Sequence, residues 1–509
     1  MRYINLFVLI FFFLFVGCVN DSTESSNSGK QGSDVLVEPD QDDLDFSNTG
    51  NNIFPESQSS IVSKAANSDI QTVNGNATTL SLKKFFTLNP LEIGNKTTQA
   101  TDVVYNDGYI FISYATVGSS YGGGVQIIKI DSSVDYASLT SEEVQNSVTI
   151  TDQWVSSNVD ITMLEVHGSK VYAVGAVDLS SANYSSLESS AMLFSIDLSG
   201  GTFNKNNGVI KYNYYPLTSY VGKDIACSGD RIYVVTGDAG YLEVYQINNG
   251  LTKLNEEPIR DARSVKVHNG AVYVMSASGV SIYNVDGELQ SSFIDFPNGA
   301  IDDFEGAQRI LSVKDNCVLV PQGIYGVSAY ELSSNSELFH LQPASSYADN
   351  SNYEIAVNSA LMISYEEQQY LLVATGEAGL AEATISSDNK EARYECVFDL
   401  DGTDNSSESA NMVTSFEVGT STFVAVATGN DGLHLLRVDN GNTEEEETDE
   451  DLEIDENADY EIYNWSMDLS NLEGKTRYVT SSYTVWFSKI ANGTLVWRGD
   501  LGIQNANDV

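Results

Sequence analysis

An all-β fold assembled from repeated units is what this 509-residue sequence predicts, and three observations predict it. First, three short segments are nearly interchangeable: Val235-Thr236-Gly237-Asp238-Ala239-Gly240-Tyr241, Ala374-Thr375-Gly376-Glu377-Ala378-Gly379-Leu380 and Ala427-Thr428-Gly429-Asn430-Asp431-Gly432-Leu433. Each follows an apolar, β-rich run and precedes another, and recurrence at steps of about 50 residues marks a repeat architecture. Second, alternating and β-branched stretches bounded by Gly, Asn, Asp and Ser support strands, while no long apolar stripe of helical period is present. Third, residues 79–440 divide into seven consecutive units of one plan, each with three or four strands. Radial packing of such units leaves no long exposed edge, so the predicted class is an all-β, seven-bladed β-propeller. A disordered N-terminal tether precedes it and a small β-rich C-terminal appendage follows. Six or eight blades is the alternative, because the first two units are long and irregular.

The chain opens on Met1-Arg2 and an uncharged apolar run over residues 6–16, closed by Gly17-Cys18. A run so short behind a basic residue reads as a secretory leader, residues 1–17, and not as a membrane span. Leu14-Phe15-Val16-Gly17-Cys18 is similar to a bacterial lipobox, with Phe15 in place of the usual leucine. That resemblance implies cleavage ahead of Cys18 and its acylation, which would hold the chain at a membrane without a spanning helix. An ordinary leader with an incidental Cys18 is the plainer alternative. Residues 18–78, rich in Ser, Asn, Asp and Gly, cannot bury enough surface to offset the entropy of ordering and read as the tether.

The second and third strands of the units are expected at 109–114 with 125–131, 171–176 with 191–197, 232–236 with 241–248, 272–276 with 280–286, 318–322 with 327–332, 371–375 with 380–385, and 423–428 with 433–439. Residues 81–88 look like an outermost strand that completes the last unit and clasps the ring shut. The block from Glu444 to Asp451 cannot pack on itself, so 441–459 reads as an acidic linker. Within 460–509, aromatic alternation at Tyr460 to Trp465, Ser482 to Phe487 and Leu495 to Trp497 predicts a small three-stranded appendage.

Lys and Arg total 25 against 71 Asp and Glu, a net charge of −46. That balance argues against nucleic acid and anionic headgroups, whose phosphates are gripped by clusters of Lys and Arg. Cys227, Cys317 and Cys396, an odd set beyond Cys18, make no disulfide framework and read as small buried hydrophobes, although one pair could be oxidised.

Val125-Gln126-Ile127-Ile128-Lys129-Ile130-Asp131, Val280-Ser281-Ile282-Tyr283-Asn284-Val285-Asp286 and Ile232-Tyr233-Val234-Val235-Thr236-Gly237 resemble LVIVD-type and YVTN-type propeller repeats. With the lipobox, the chain looks like a propeller lipoprotein of Bacteroidota. The resemblance implies a lipid-anchored protein of the bacterial outer membrane, facing either periplasm or exterior, whose partner is an envelope protein or glycan. Regular Trp-Asp strand ends and sialidase-type Asp boxes are absent from the sequence.

The Thr-Gly-x-x-Gly segments read as hairpin turns, because a phosphate-cradling loop would need a helix after its glycines and here a strand follows. His167 and His268 occupy equivalent turns, and His340 and His434 sit in strand-like runs without converging partners. No cofactor is called for. Calcium is the one ion for which a local candidate exists, Asp399-Leu400-Asp401-Gly402-Thr403-Asp404, but its glycine falls too early for an EF-hand and a solvated loop is the default. Asp102, Asp224, Arg263 and Arg309 stand where inner strands begin, which places them at the mouth of the central channel as candidate ligand contacts. Arg can grip a carboxylate bidentately, though structural links from Arg263 and Arg309 to Asp261 and Glu305 are the favoured reading of these two. The expected function is a binding or scaffolding module. The alternatives are a hydrolase, lactonase or lyase on an envelope carbohydrate or metabolite, and a structural role through the aromatic C-terminal piece.

Overall fold

The computed structural model describes most of residues 80–438, except stretches chiefly within 137–146, 297–308, 344–354 and 399–407, together with strand segments at 53–55, 63–65 and between 477 and 497. Cys18, Glu305 and the acidic block lie outside the described residues, as do Asp399 to Asp404 apart from Leu400. Every described element is a β-strand. The chain divides into two compact units, Met1–Asn442 and Thr443–Val509.

In the larger unit the main strands pair antiparallel in successive groups of four, called sheets below, of which the sixth, seventh and first are linked by the single pairs Gly376–Ala410 and Gly429–Ala100. The first is Gln99–Asn106, Tyr109–Ala115, Gly123–Ile130 and Val148–Ser156. The second is Val159–His167, Lys170–Val177, Ala191–Ser199 and Tyr212–Pro216; the third Gly222–Ser228, Arg231–Thr236, Tyr241–Ile247 and Leu251–Pro258. The fourth is Ala262–His268, Ala271–Ser276, Gly279–Tyr283 and Leu289–Asp295; the fifth Ser312–Lys314, Cys317–Pro321, Val327–Glu331 and Glu337–Leu341. The sixth is Ile355–Tyr365, Gln368–Gly376, Leu380–Ile385 and Ala392–Phe398. The seventh takes Glu408–Val418, Ser421–Gly429 and Leu433–Val438 from the end of the unit and Leu82–Leu88 from its beginning. The first strands of the sheets contact one another in chain order, and the last returns to the first. This is a β-propeller-like arrangement.

Middle strands are buried on both faces, which is why they read as nearly continuous apolar runs. Val171 to Val177 is buried throughout, whereas the outer strand Leu251–Pro258 is mostly exposed. Apolar clusters form between consecutive sheets; one joins Tyr233, Val235, Leu242 and Val244 of the third to Val265, Val272 and Val274 of the fourth.

The strand foreseen at 81–88 pairs with Leu433–Val438, in register from Leu82 opposite Val438 to Leu88 opposite Leu433. Phe85 stands edge-on to both Phe423 and Tyr136, and Phe86 is wholly buried. The stretch read as a disordered tether contains two short strands. Ile53–Pro55 adds to the outer edge of the seventh sheet and Ser63–Ala65 to that of the sixth. The physical reason is the row of backbone donors and acceptors that an outermost strand leaves to be met.

In the smaller unit, Arg477–Thr480, Tyr483–Ala491 and Thr494–Trp497 form a three-stranded antiparallel sheet. The alternating segment Tyr460 to Trp465 lies outside the described residues.

Replacing Phe86 by Ala is expected to cost about 3–5 kcal/mol, read from denaturant unfolding followed by fluorescence. A loss below about 1 kcal/mol would show that this strand does not pack as described.

Candidate functional site

Six of the seven inner strands begin with a slip in register. Pairing to the second strand slips between Ala100 and Asp102, Ile161 and Met163, Gly222 and Asp224, and Ala262 and Ser264. Longer slips occur between Ile355 and Ser359 and between Glu408 and Met412. In the fifth sheet, counting back from the hairpin pair Lys314–Cys317 as from His268–Ala271 puts Arg309 level with Arg263. The bulged residues are therefore Thr101, Thr162, Lys223, Arg263, Asn358 and Asn411, and Arg309 holds the corresponding place by residue count ahead of Ser312–Lys314, whose own pairing has no slip. Those immediately after them are Asp102, Met163, Asp224, Ser264, Ile310, Ser359 and Met412.

A bulge frees a backbone N–H from the ladder, and this protein uses it to join one sheet to the next. Asp102 accepts the N–H of its neighbour Val103 at 2.8 Å and that of Leu164 in the second sheet at 2.9 Å. Asp224 accepts Ile225 N–H at 2.8 Å and Val265 N–H in the fourth sheet at 2.9 Å. Ser264 Oγ accepts Leu311 N–H at 3.0 Å, and Ser359 Oγ accepts Val413 N–H at 3.2 Å. The four joints have one geometry with two kinds of side chain. One residue earlier, Thr101 donates to Ile161 O at 2.8 Å, Thr162 to Gly222 O at 2.6 Å, and Asn358 to Ala410 O at 3.0 Å. Asp102 and Asp224 are thus buried braces between sheets.

Where the post-bulge residue is apolar it fills the axis. Met163 of the second sheet and Ile310 of the fifth belong to one apolar cluster, and Met412 of the seventh packs against it. These sheets are not neighbours, so the side chains meet across the middle of the ring.

Beside this plug lies an ionic group drawn from four consecutive sheets. Lys266 Nζ is 3.1 and 3.3 Å from the oxygens of Asp224, which also accepts Ser264 Oγ at 2.6 Å. Burial pushes the Asp102 carboxyl up to about 6, against the pull of the Leu164 N–H and Lys266. Burial also raises Glu165 to about 7, opposed by Lys266 and reinforced by Asp102 and Asp224. For Lys266 itself burial works downward, but Asp224, Asp102 and Glu165 outweigh it and hold the ammonium above its ordinary value. The group can store a proton, yet its aspartates are occupied by backbone donors.

The same place differs in the third, fourth and fifth sheets, where it carries Lys223, Arg263 and Arg309. Arg263 Nη2 donates to Asp261 Oδ2 at 2.6 Å, the ion pair anticipated from sequence. Burial, and then Arg263, lower the Lys223 ammonium to about 8, with Asp261 opposing. Lys223 lies over the turn that begins the Thr-Gly-x-x-Gly segment: a Cβ on Gly237 would come within 2.7 Å of its Cε. Arg309 is 1% exposed.

The Thr-Gly-x-x-Gly segments join the second strand to the third, as turns. Thr375 and Thr428 each donate backbone N–H and Oγ1 to the carbonyl of the second glycine, and both glycines of each copy have positive φ. Around Gly237 the hydroxyl of Thr236 instead accepts Tyr241 N–H at 2.9 Å. Sequence reading missed a further copy, Gln322-Gly323-Ile324-Tyr325-Gly326, in which Gln322 N–H donates to Gly326 O at 2.7 Å. The signal was the Gly-x-x-Gly spacing, masked by Gln in place of Thr.

The histidines stand apart. His167 bonds Gly229 O, His340 bonds Ser328 Oγ and Gln342, and His434 is buried beside Thr87. Cys227, Cys317 and Cys396 are free thiols in separate sheets. Among the described residues no three His, Cys, Asp or Glu are placed to hold a metal.

Two measurements probe this frame. Asp102→Ala leaves the buried Leu164 N–H without its acceptor and is expected to cost about 1–3 kcal/mol, whereas Met163→Leu should cost less than about 1.5. Because Asp102 and Glu165 bind protons more tightly folded than at their ordinary 3.8 and 4.5, the folded state gains stability below those values and loses it as pH rises through about 6 and 7. The melting temperature is therefore expected to climb as pH falls from 8 to about 5, and Glu165→Gln to flatten that climb. An unchanged slope in the variant would contradict the assignment.

No protein-family model and no curated protein matches the chain. Among solved structures, a computationally designed protein, Ika8, is 10% identical, with 75% of this chain and 98% of that one covered at a TM-score of 0.39. The WD40 β-propeller domain of Doa1 is also 10% identical, with 68% and 95% covered at a TM-score of 0.41. Likeness this distant assigns no function.

Proposed function

We propose that the protein is an envelope lipoprotein, held at the outer membrane through acylated Cys18, whose seven-bladed propeller over residues 79–440 binds an envelope protein or glycan without transforming it. One observation carries the binding half of this reading. The axis is filled by Met163, Ile310 and Met412, and the aspartates beside it are committed to Leu164 and Val265 of neighbouring sheets. A hydrolase, lactonase or lyase would need carboxylates with oxygens open to a substrate. Glu165, raised to about 7, is the observation on that side; it stands among Lys266, Asp102 and Asp224, and burial together with Glu165 pushes the neighbouring Cys227 thiol up, the reverse of what a nucleophile needs. The anchoring half rests on the lipobox-like run ending in Cys18, and the residues between Cys18 and the edge strand Ile53–Pro55 supply the reach between lipid and propeller.

Cells expressing the full chain and fed an alkynyl fatty acid are expected to label it, and Cys18→Ala to abolish labelling. Labelling that survives the substitution would refute the anchor. Chemical cross-linking in intact envelopes followed by purification is expected to recover one dominant protein or glycan. Turnover of envelope carbohydrate by purified protein, lost in Glu165→Gln, would refute the binding reading in favour of the enzyme.

A further inference from the structure

We propose that the outer groove between the third and fourth sheets is a docking site for an extended, basic segment of a partner protein, one that carries an apolar side chain flanked by lysine or arginine. The inference rests on the binding-module reading and names the class of partner for it.

The groove is built by one turn held against a neighbouring sheet. Residues 284–288 join the third and fourth strands of the fourth sheet. Asn284 closes the turn on itself, its Oδ1 accepting the N–H of Asp286 at 3.0 Å and that of Glu288 at 2.9 Å. The third sheet then pins the turn from outside. Tyr233 donates its hydroxyl to Val285 O at 2.9 Å, and Asn255 Nδ2 donates to Asp286 O at 3.0 Å and Gly287 O at 3.1 Å. Gly287 permits the approach, because its φ is 80° and a Cβ there would come within 2.6 Å of Val244 Cγ2. What remains between the turn and the outer strand Leu251–Pro258 is a groove of about 500 Å³, with one wall fixed before any ligand arrives.

The groove gathers apolar surface. Among the described residues seven large apolar or aromatic side chains stand well exposed, and three of them are here: Leu254 at 43%, Val285 at 45% and Leu289 at 55%. Leu254 and Leu289 line the groove, one from the outer strand of each sheet, and Val285 belongs to the turn. Exposed apolar groups clustered within a polar rim mark an interaction surface, whereas scattered ones do not.

Charge selects the occupant. Glu257, Asp286 and Glu288 share the lining with one cation, Arg231, which Asp230 already engages at 2.8 Å and Asp286 at 3.6 Å. Among the described residues no three carboxylates are placed to hold a metal, so this negative charge suits an organic cation. Lysine and arginine bring such a cation on an apolar stem, which fits a lining of Leu254 and Leu289. At −46 the whole molecule attracts a basic segment and repels an acidic one. Leu251–Pro258 is the last strand of its sheet among the described residues, so an extended chain laid beside it finds backbone partners too. In an extended chain side chains two positions apart share a face, which sets a basic residue on either side of the apolar one that enters.

Calorimetric titration of the full chain with the capped peptide Lys-Ala-Leu-Ala-Lys tests the site. Binding is expected, weaker by about tenfold or more when serine replaces the leucine of the peptide and lost in Glu-Ala-Leu-Ala-Glu. Leu289→Ser is expected to weaken it by about tenfold or more, and Glu257→Gln by about two- to fivefold. Both residues lie on outer strands, so the fold is retained. Glu391→Gln, at an exposed position of the sixth sheet, should leave binding unchanged. No binding would overturn the site, and so would equal weakening by Glu391→Gln, which would reduce it to general attraction. Binding of maltohexaose that Leu289→Ser abolishes would give the groove to a glycan, and self-association abolished by the same variant would give it to a second copy; either overturns the proposal. Partner recovery from envelopes that persists in Leu289→Ser would overturn it while leaving the binding-module reading intact.

Discussion

The arrangement depends on a bond between a side-chain oxygen in one sheet and a backbone N–H in the next. Sheets packed face to face through apolar side chains alone can slide, because dispersion contacts are weak and non-directional. Asp102 with Leu164, Asp224 with Val265, Ser264 with Leu311 and Ser359 with Val413 fix both distance and register at four of the contacts between sheets. The bulge makes the bond available, and burial makes it matter, since an interior donor left without an acceptor costs far more than the bond is worth in water. Where the bond is lacking, Met163, Ile310 and Met412 take the same position and the stabilisation comes from the axis they fill.

Much of the strand order was legible. The middle strands were visible because burial on both faces demands Val, Ile, Tyr and Ala in unbroken runs, and the turns because glycine supplies the positive φ at Gly376, Gly379, Gly429 and Gly432. Leu82–Leu88 could be placed because its apolar sequence had no partner nearby. The joints were not legible in the same way. Their side chains, Asp, Ser, Met and Ile, share no chemistry, and what unites them is a register slip that no residue type announces. Hence Asp102 and Asp224 looked like channel-mouth residues when their carboxylates face backbone in the next sheet. Arg263 was read correctly as pairing with Asp261, two residues away, because that contact is local.

The distribution of charge has a logic of its own. Among the described residues, Asp102, Asp160, Glu165 and Glu382 are carried inside and each is raised by burial. Three are held in place by backbone donors: Asp160 by Thr116 and Gly122, Glu382 by Leu80, Asp102 by Leu164. The interior therefore uses acids as acceptors that bind two or three donors at once, a task at which serine is only half as capable. The cations Lys266 and Arg263 stand beside acids of the same interior, Asp224 and Asp261, so charges of both signs are carried inside and paired there.

The pairing of Leu82–Leu88 with Leu433–Val438 sets the order of events in the life of the chain. Thr87 and His434, one of the pairs along these strands, are 347 positions apart. A ribosome or a translocation pore delivers the first partner long before the second. Through that interval an apolar strand containing Phe85, Phe86 and Leu88 waits exposed, and the last sheet stays one strand short. Closure is then a late, slow step dominated by the entropy of a long loop. The chain is most open to capture by chaperones, or to aggregation, just before its final strand emerges.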